Sequence, residues 1–519
     1  MSTDVSSNNR RIAKNTLMLY IRMIFVMLVS IYTSRVYLQQ LGVSDYGIYN
    51  VVGTIVTLLA FLNSSLTAST QRFITFSLGK GDNKELHRVF AASFNIHLVL
   101  AIVIAIIMET VGVWYVNNLL VAPADRLTAA NWVFQFAVLS SLLSITQVPY
   151  TALINAHEDM SAFAWLSIFD VLLRLFVAFL IGRAPFDRLI YFALLLFLVQ
   201  VIMISIYRIY CVRHYEEAHV EFFYDKSLYK SITSFAGWTL IGGFAWTLKN
   251  SGANMLLNFF FGPIVNSARG VALQVTTAVN NFSNNFLIAV IPQITKYYAQ
   301  GQVSEMHRLS NRSLKFSFFI VFVLALPIIL SINYILSIWL VEVPDKTNIF
   351  IILVFVDSLI QCLLGSQLAY MVYATGKIRN MELIGGLLTL MIIPSSFLFL
   401  KLGYGPEVVF VMIILFGFLN GLVRLYFAHK QTGFSYSQYL KSVILPAFLV
   451  AGISVGVSIP LKLFVFAKDS LGHFLLLSII TIITCVVSVL YIGMTSSERA
   501  SVFKALKSRI PQVFNKRTE

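Results

Sequence analysis

Apolar stretches long enough to cross a bilayer recur along almost the whole chain, and no other feature of the sequence constrains its fold as strongly. A spanning helix needs about 20 mostly apolar residues. Within hydrocarbon every backbone polar group must be satisfied inside the protein, so runs of this length read as helices. Of 519 residues, 58% are hydrophobic and 12% charged, against about a quarter charged in an ordinary soluble domain. The main solvent is therefore lipid. Spans are predicted over residues 15–38, 46–68, 89–115, 130–153, 161–182, 189–207, 231–259, 264–292, 316–338, 348–374, 381–400, 405–423, 442–461 and 471–494. The expected fold class is an all-α polytopic membrane protein of about fourteen transmembrane helices. Residues 1–9 are polar and no small-residue cleavage site follows the first apolar run, so that run reads as a retained helix and anchor.

The net charge of +15 reports topology. With the N-terminus inside, the cytoplasmic segments hold 26 Lys and Arg, the outer loops seven, and the helices five. By the positive-inside rule both termini are cytoplasmic, although the loop 154–160 has no basic residue. The basic residues form no single stripe with stacking aromatics, which argues against nucleic acid. Cys211, Cys362 and Cys485 have no close spacing and imply neither a disulfide framework nor a metal site. No predicted loop exceeds about two dozen residues, so an extramembrane catalytic domain is not expected and the chemistry belongs between helices.

A shift of 220 residues places Gly81, Glu85, His87 and Arg88 on Gly301, Glu305, His307 and Arg308. It also places Thr146-Gln147-Val148-Pro149-Tyr150 on Ser366-Gln367-Leu368-Ala369-Tyr370. Each repeat holds six predicted helices, an even number, so the two have the same orientation and are related by an axis along the membrane normal. The expected organisation is an N-lobe over 1–212, a cytoplasmic linker over 213–230, a C-lobe over 231–430, helices thirteen and fourteen over 431–494, and a basic tail over 495–519. Two similar lobes around a cavity suit alternating access.

The five basic residues inside predicted helices are Arg22, Arg35, Arg174, Lys249 and Arg269. A charge at a helix centre costs about 2.5–3.5 kcal/mol on insertion scales, so such residues face a partner or a wet cavity. Glu109, Asp170 and Asp357 are the interior acids, and the positive balance favours an anionic substrate. Arg35 lies near a helix end and has an equal reading as an interfacial residue that snorkels. Asp170 and Arg174, four apart, share a helix face and read as a structural ion pair, with Asp170 also the candidate for coupling to H⁺ or Na⁺. Lys249 precedes Asn250, Asn254 and Asn258 in a polar stripe, for which helix–helix hydrogen bonding is the plainer account. Arg269, Thr276 and Asn280 fall on one face, extended by Asn284. Asn50, Thr54, Thr57 and Ser64 align in the same way on the second predicted helix, where packing of small polar residues explains them equally well. No catalytic or metal-binding set can be assembled, and no cofactor is expected.

Several stretches resemble the polysaccharide transporter family, the oligosaccharide flippases of the superfamily that includes multidrug exporters and the lipid II flippase. They are Ser34-Arg35 through Leu41-Gly42, Asp45-Tyr46-Gly47-Ile48-Tyr49, Phe235-Ala236-Gly237-Trp238, Phe261-Gly262, Val265-Asn266-Ser267-Ala268-Arg269-Gly270 and Pro292-Gln293-Ile294. The resemblance covers residues 10 to about 430, and Asn266–Gly270 is its most specific marker. It implies a two-lobed flippase in the bacterial cytoplasmic membrane that carries undecaprenyl-diphosphate-linked oligosaccharide to the outer leaflet for surface polysaccharide synthesis. Membrane lipids, and glycosyltransferases and a polymerase of the same pathway, are the implied partners. The diphosphate would pair with Arg22, Arg35, Arg174, Lys249 or Arg269, and the sugars would lie against Asn250, Asn254, Thr276 and Asn280.

Two rivals share the fold: a cation-coupled multidrug exporter, which wants a buried acid, and a lipid II-type flippase. A membrane glycosyltransferase would carry a long acidic outer loop, and the predicted outer loops are short.

Overall fold

The computed structural model describes the chain except residues 1, 58–59, 119–122, 222–224, 341–342, 467–469 and 501–519. The side chains of Asn50, Thr54, Thr57 and Ser64 also lie outside the described residues, as does most of the basic tail. Among the described residues all regular secondary structure is helical. Among the described residues eleven helices are long and apolar enough to cross a membrane, from Asn15–Gly42 to Leu471–Gly493. The other three expected spans, 46–68, 231–259 and 264–292, fold as helix where described but are not among the eleven. They lie in the two longest continuous helices, Ser2–Thr57 and Lys226–Ala299, and in Ala60–Lys80.

Each of the two long helices is broken at one glycine, Gly42 with φ 78° and Gly262 with φ 77°. These conformations lie in a region essentially reserved for glycine, and the two positions are 220 residues apart. The repeat read from side chains is thus written in the backbone as well. Gly81 and Gly301 both have φ 73°, again at that offset. Helices start at Asn83 and Val303, and at Leu127 and Thr347, with the same separation.

Short polar residues set many of the helix starts. Asp82, Asp159, Asp187 and Asp225 each accept a hydrogen bond from a backbone N–H in the following first turn, satisfying donors a helix leaves unpaired. At the turn before Asp159, Glu158 takes a left-handed conformation and ends the helix Leu127–His157.

The chain forms two compact units. Unit 1 comprises Met1–Thr247, Ile288–Met306 and Tyr373–Gly386, and unit 2 comprises Leu248–Leu287, His307–Val372 and Leu387–Glu519. Unit 1 draws residues from both repeats, whereas unit 2 begins at Leu248 and holds none of the first. The core of unit 1 includes Ile104, Val133, Phe134 and Leu189, with a second cluster around Phe90, Leu153 and Cys211. Polar pairs also join its helices: Ser65 donates to the Thr239 carbonyl and Thr239 to that of Ser65. In unit 2, Phe350 stacks on Phe410 with centroids 4.4 Å apart. Large apolar side chains such as Trp246, Phe259 and Phe464 are exposed, as expected where lipid is the solvent.

Each unit contains a buried ion cluster. In unit 1 the fully buried Glu158 carboxylate receives Lys296 at 2.6 Å, Gln293 at 2.5 Å and Arg11 at 2.8 Å. In unit 2 Glu498 receives Arg312 and Lys315, both at 2.9 Å. Burial pushes the Glu498 carboxyl up, but the hydrogen bonds from Lys315, the Thr495 N–H and Arg312 outweigh it and hold the group below the usual glutamate range.

Candidate functional site

Three of the residues singled out from sequence converge in unit 1. Arg22, Asp170 and Arg174 line a cavity of ≈ 240 Å³ among the helices Asn15–Gly42, Leu127–His157, Met160–Leu180 and Arg188–His214. The four-residue spacing of Asp170 and Arg174 on one helix puts guanidinium and carboxylate in contact: Nε of Arg174 donates to the two carboxylate oxygens at 3.1 and 3.0 Å. The ion-pair reading of this couple is what the structure contains. Tyr37 fixes the same turn by donating its hydroxyl to the Arg174 carbonyl at 2.9 Å.

Arg22 has no such carboxylate. Its guanidinium lies over the Phe163 ring, 4.6 Å from the centroid, and its buried Nε and Nη1 have no hydrogen-bond partner among the described residues. Gln147, only 8% exposed, also lines the cavity, and neither its amide nitrogen nor its amide oxygen is hydrogen-bonded among the described residues. Gln200 and Tyr207 complete the polar wall. With two arginines against one aspartate, this cavity carries one surplus positive charge in surroundings where a bare cation is expensive.

A second cationic group occupies unit 2. Lys249, half-buried, has Asp357, Arg269 and Arg424 within electrostatic reach. Arg269 is 1% exposed and its Nη1 donates to the Asn254 side-chain amide oxygen Oδ1, so residues on either side of the Gly262 break are brought together. Asn280 donates to Ser358 at 3.0 Å, whereas Thr276 donates to the Ala272 carbonyl of its own helix. Asn250 is half-buried, and Asn258 and Asn284 are exposed. Arg35 is exposed and does not line the unit 1 cavity. Glu109 is exposed and accepts a hydrogen bond from Gln135.

Sequence reasoning missed Gln147, Gln200, Tyr207, Arg208 and Arg424. Arg208 and Arg424 were expected in cytoplasmic loops because the spans 189–207 and 405–423 stop just before them. Their helices instead run on to His214 and Thr432, which corrects the number of basic residues carried inside helices. Arg208 donates to Thr146 and lies over Tyr150. Gln147 stood in a repeated motif, and a repeated motif reads first as scaffold.

The Asp45-Tyr46-Gly47 stretch has a structural explanation. Arg126 binds Asp45 through Nε at 2.9 Å and Asp187 through Nη1 at 2.5 Å, tying together three interhelical turns. Burial raises the Asp187 carboxyl, but the Ile190 N–H and the Arg126 guanidinium bring it below the ordinary range.

Residues 12–298, more than half of the chain, match the polysaccharide biosynthesis protein family. No curated protein matches the chain. Among solved structures it is similar to a MATE protein in its straight conformation, with TM-score 0.70 and 14% identity over 82% of this chain and 96% of that one. It is also similar to an outward-facing multidrug resistance MATE family transporter of the MOP superfamily, with TM-score 0.68, 14% identity and coverage of 81% and 96%. A third is a MOP superfamily transporter from Pyrococcus furiosus whose binding pocket is described as reversed in polarity, with TM-score 0.66, 14% identity and the same coverage. At these identities the likeness is one of fold. The chain thus belongs to the polysaccharide biosynthesis protein family, and carries that membership on a multi-pass helical fold shared with MATE and other MOP superfamily transporters.

Proposed function

We propose that the protein is a flippase, not an enzyme, that moves undecaprenyl-diphosphate-linked oligosaccharide from the inner to the outer leaflet of the bacterial cytoplasmic membrane by alternating access. Its two six-helix lobes, 1–212 and 231–430, do the work, with about fourteen spans and both termini cytoplasmic. The observation that carries this reading is Arg22, half-buried beside a cavity, whose buried Nε and Nη1 have no partner among the described residues. A diphosphate supplies what those donors lack, in charge-assisted hydrogen bonds that a guanidinium fork suits.

Arg174, Lys249 and Arg269 add positive potential for the same group, and Arg35 serves it at the membrane boundary. Asn250, Asn254, Thr276 and Asn280 contact sugar hydroxyls, while the prenyl chain stays in lipid. Glycosyltransferases and a polymerase of the pathway supply and consume the substrate. The exporter reading has less support, because the half-buried acid Asp170 is already ion-paired with Arg174, and Asp357 lies within electrostatic reach of Lys249.

The test is complementation of a strain that lacks its surface-polysaccharide flippase, with membrane abundance measured alongside. Arg22→Gln is expected to cut transport about ten- to a hundredfold, the worth of one charge-assisted hydrogen bond. Arg22→Lys retains part of it. Wild-type transport in Arg22→Gln at equal abundance would remove the diphosphate from this site.

A further inference from the structure

Gln147 and Gln367 occupy one position in the two repeats, 220 residues apart. Both are buried, at 8% and 1% exposure. Their surroundings differ. The Gln367 amide nitrogen donates to Ser317 at 2.9 Å and to the Ser313 carbonyl at 3.4 Å, and its oxygen accepts from Ser366 at 3.4 Å. The protein satisfies that amide itself. The Gln147 side chain lines the ≈ 240 Å³ cavity, and its buried amide has no partner at either atom among the described residues. A buried polar side chain left unsatisfied calls for a specific explanation, and one repeat shows how readily this fold could have satisfied it.

The chemistry of the vacant partners defines the guest. An amide offers donors and an acceptor together, which a hydroxyl group matches because it both donates and accepts. A bare anion would use only the nitrogen and a bare cation only the oxygen. Gln200 places a second amide in the same wall, and Tyr207 a hydroxyl. Arg22, with its two unpartnered donors, supplies a site suited to an anionic oxygen. The volume lies below the about 300–1,000 Å³ usual for small-molecule pockets, which suits one ring and not an oligosaccharide.

We infer that this cavity is a subsite for a single sugar ring, the one joined to the diphosphate, with Gln147 as its specificity-determining residue and Arg22 at the phosphate end. The inference rests on the flippase reading. Sugars farther from the lipid lie outside the subsite, so discrimination is strongest at the first ring.

The experiment measures thermal unfolding of the purified full-length protein with two probes. One is the lipid-linked oligosaccharide extracted from source cells lacking the transporter, and the other is undecaprenyl diphosphate, which has no sugar. Wild type is expected to bind the glycosylated lipid more tightly. Gln147→Met keeps the side-chain shape and removes the hydrogen bonds. It should leave the ligand-free midpoint and the affinity for undecaprenyl diphosphate unchanged while weakening the glycosylated lipid about tenfold. Gln367→Met, where the amide is satisfied internally, should instead lower the ligand-free midpoint. Retention of the wild-type preference in Gln147→Met, or a ligand-free midpoint that falls as in Gln367→Met, overturns the inference and leaves the flippase reading standing. Failure of wild type to bind either lipid withdraws the flippase reading and the inference with it.

Discussion

The two repeats share a backbone and differ in their polar chemistry. Gly42 and Gly262 break their helices with φ values one degree apart, at 78° and 77°, and Gly81 and Gly301 turn alike. No charged residue of the candidate sites has a charged counterpart at the repeat offset. Arg22 corresponds to Gly242, Lys249 to Val29, Arg269 to Tyr49, Asp170 to Leu390 and Arg174 to Pro394. The repeat therefore specifies helix ends and breaks, which depend on backbone conformation, and leaves binding chemistry free to diverge. In unit 1 the divergence leaves Arg22 and Gln147 with unused hydrogen-bonding capacity; in unit 2 Lys249 has Asp357 within electrostatic reach and Arg269 donates to Asn254.

The largest expected effect breaks the comparison at a single repeat position. Glu158 corresponds to the buried Ile378. Glu158→Gln leaves Lys296 and Arg11 without their anion and is expected to cost about 3–5 kcal/mol of stability. Ile378→Val removes only one methylene and is expected to cost about 0.5–1.5 kcal/mol. Denaturant unfolding of both variants in the same detergent checks the ratio; equal losses would show that the Glu158 cluster is not a structural tie.

The cationic sites come next. Lys249→Gln together with Arg269→Gln is expected to lose most transport while the protein still inserts, with each lost charge-assisted bond worth about 1.5–3 kcal/mol. Unchanged complementation by the double variant would confine the diphosphate contact to unit 1. A cation exporter predicts the opposite sign, because removing positive charge would leave cation transport unchanged or improve it.

Glycine substitutions sharpen the comparison where the repeats agree. A Cβ at Gly42 or Gly262 would meet no atom within 4 Å, so Gly42→Ala and Gly262→Ala register backbone strain alone. Each is expected to cost about 1–3 kcal/mol, and the two losses should match. A difference between them measured by thermal unfolding would mean that the repeated break is held differently in the two halves.

The smallest effect is on acid stability. The Glu498 carboxyl is held below its unfolded value of about 4.3, so its contribution is fully present above that pH and is lost as pH falls through the lower folded value. Stability should not change through this group between about pH 7 and 5 and should fall below about 4. Glu498→Gln should be less stable at neutral pH and show a shallower acid loss. An unaltered acid slope in that variant would assign the loss to other carboxylates. Coupling is tested separately: Asp170→Asn transport that proceeds at the wild-type rate in vesicles without proton or sodium gradients would take Asp170 out of the mechanism.

The sequence alone determined the solvent, the helical class, the repeat and the family resemblance. Hydropathy sums over about 20 neighbouring residues and so survives without knowledge of contacts. The offset of 220 is likewise a property of the string, and Gly42 and Gly262 carry it into the backbone. Charge spacing was legible at short range: Asp170 and Arg174, one helical turn apart, pair as their separation requires. Helix ends were less legible, because a cation such as Arg208 or Arg424 lowers local hydropathy whether or not its helix continues around it. Tertiary structure decided which polar atoms are satisfied. Gln147 and Gln367 are the same residue in matching motifs, yet Ser317, 50 residues before Gln367, meets one, while the other faces a cavity shared with Arg22 and Gln200 from distant helices. A hydrogen bond exists only at a distance and angle set by two separate backbones, and no periodicity along one chain records which donors those backbones leave unmet.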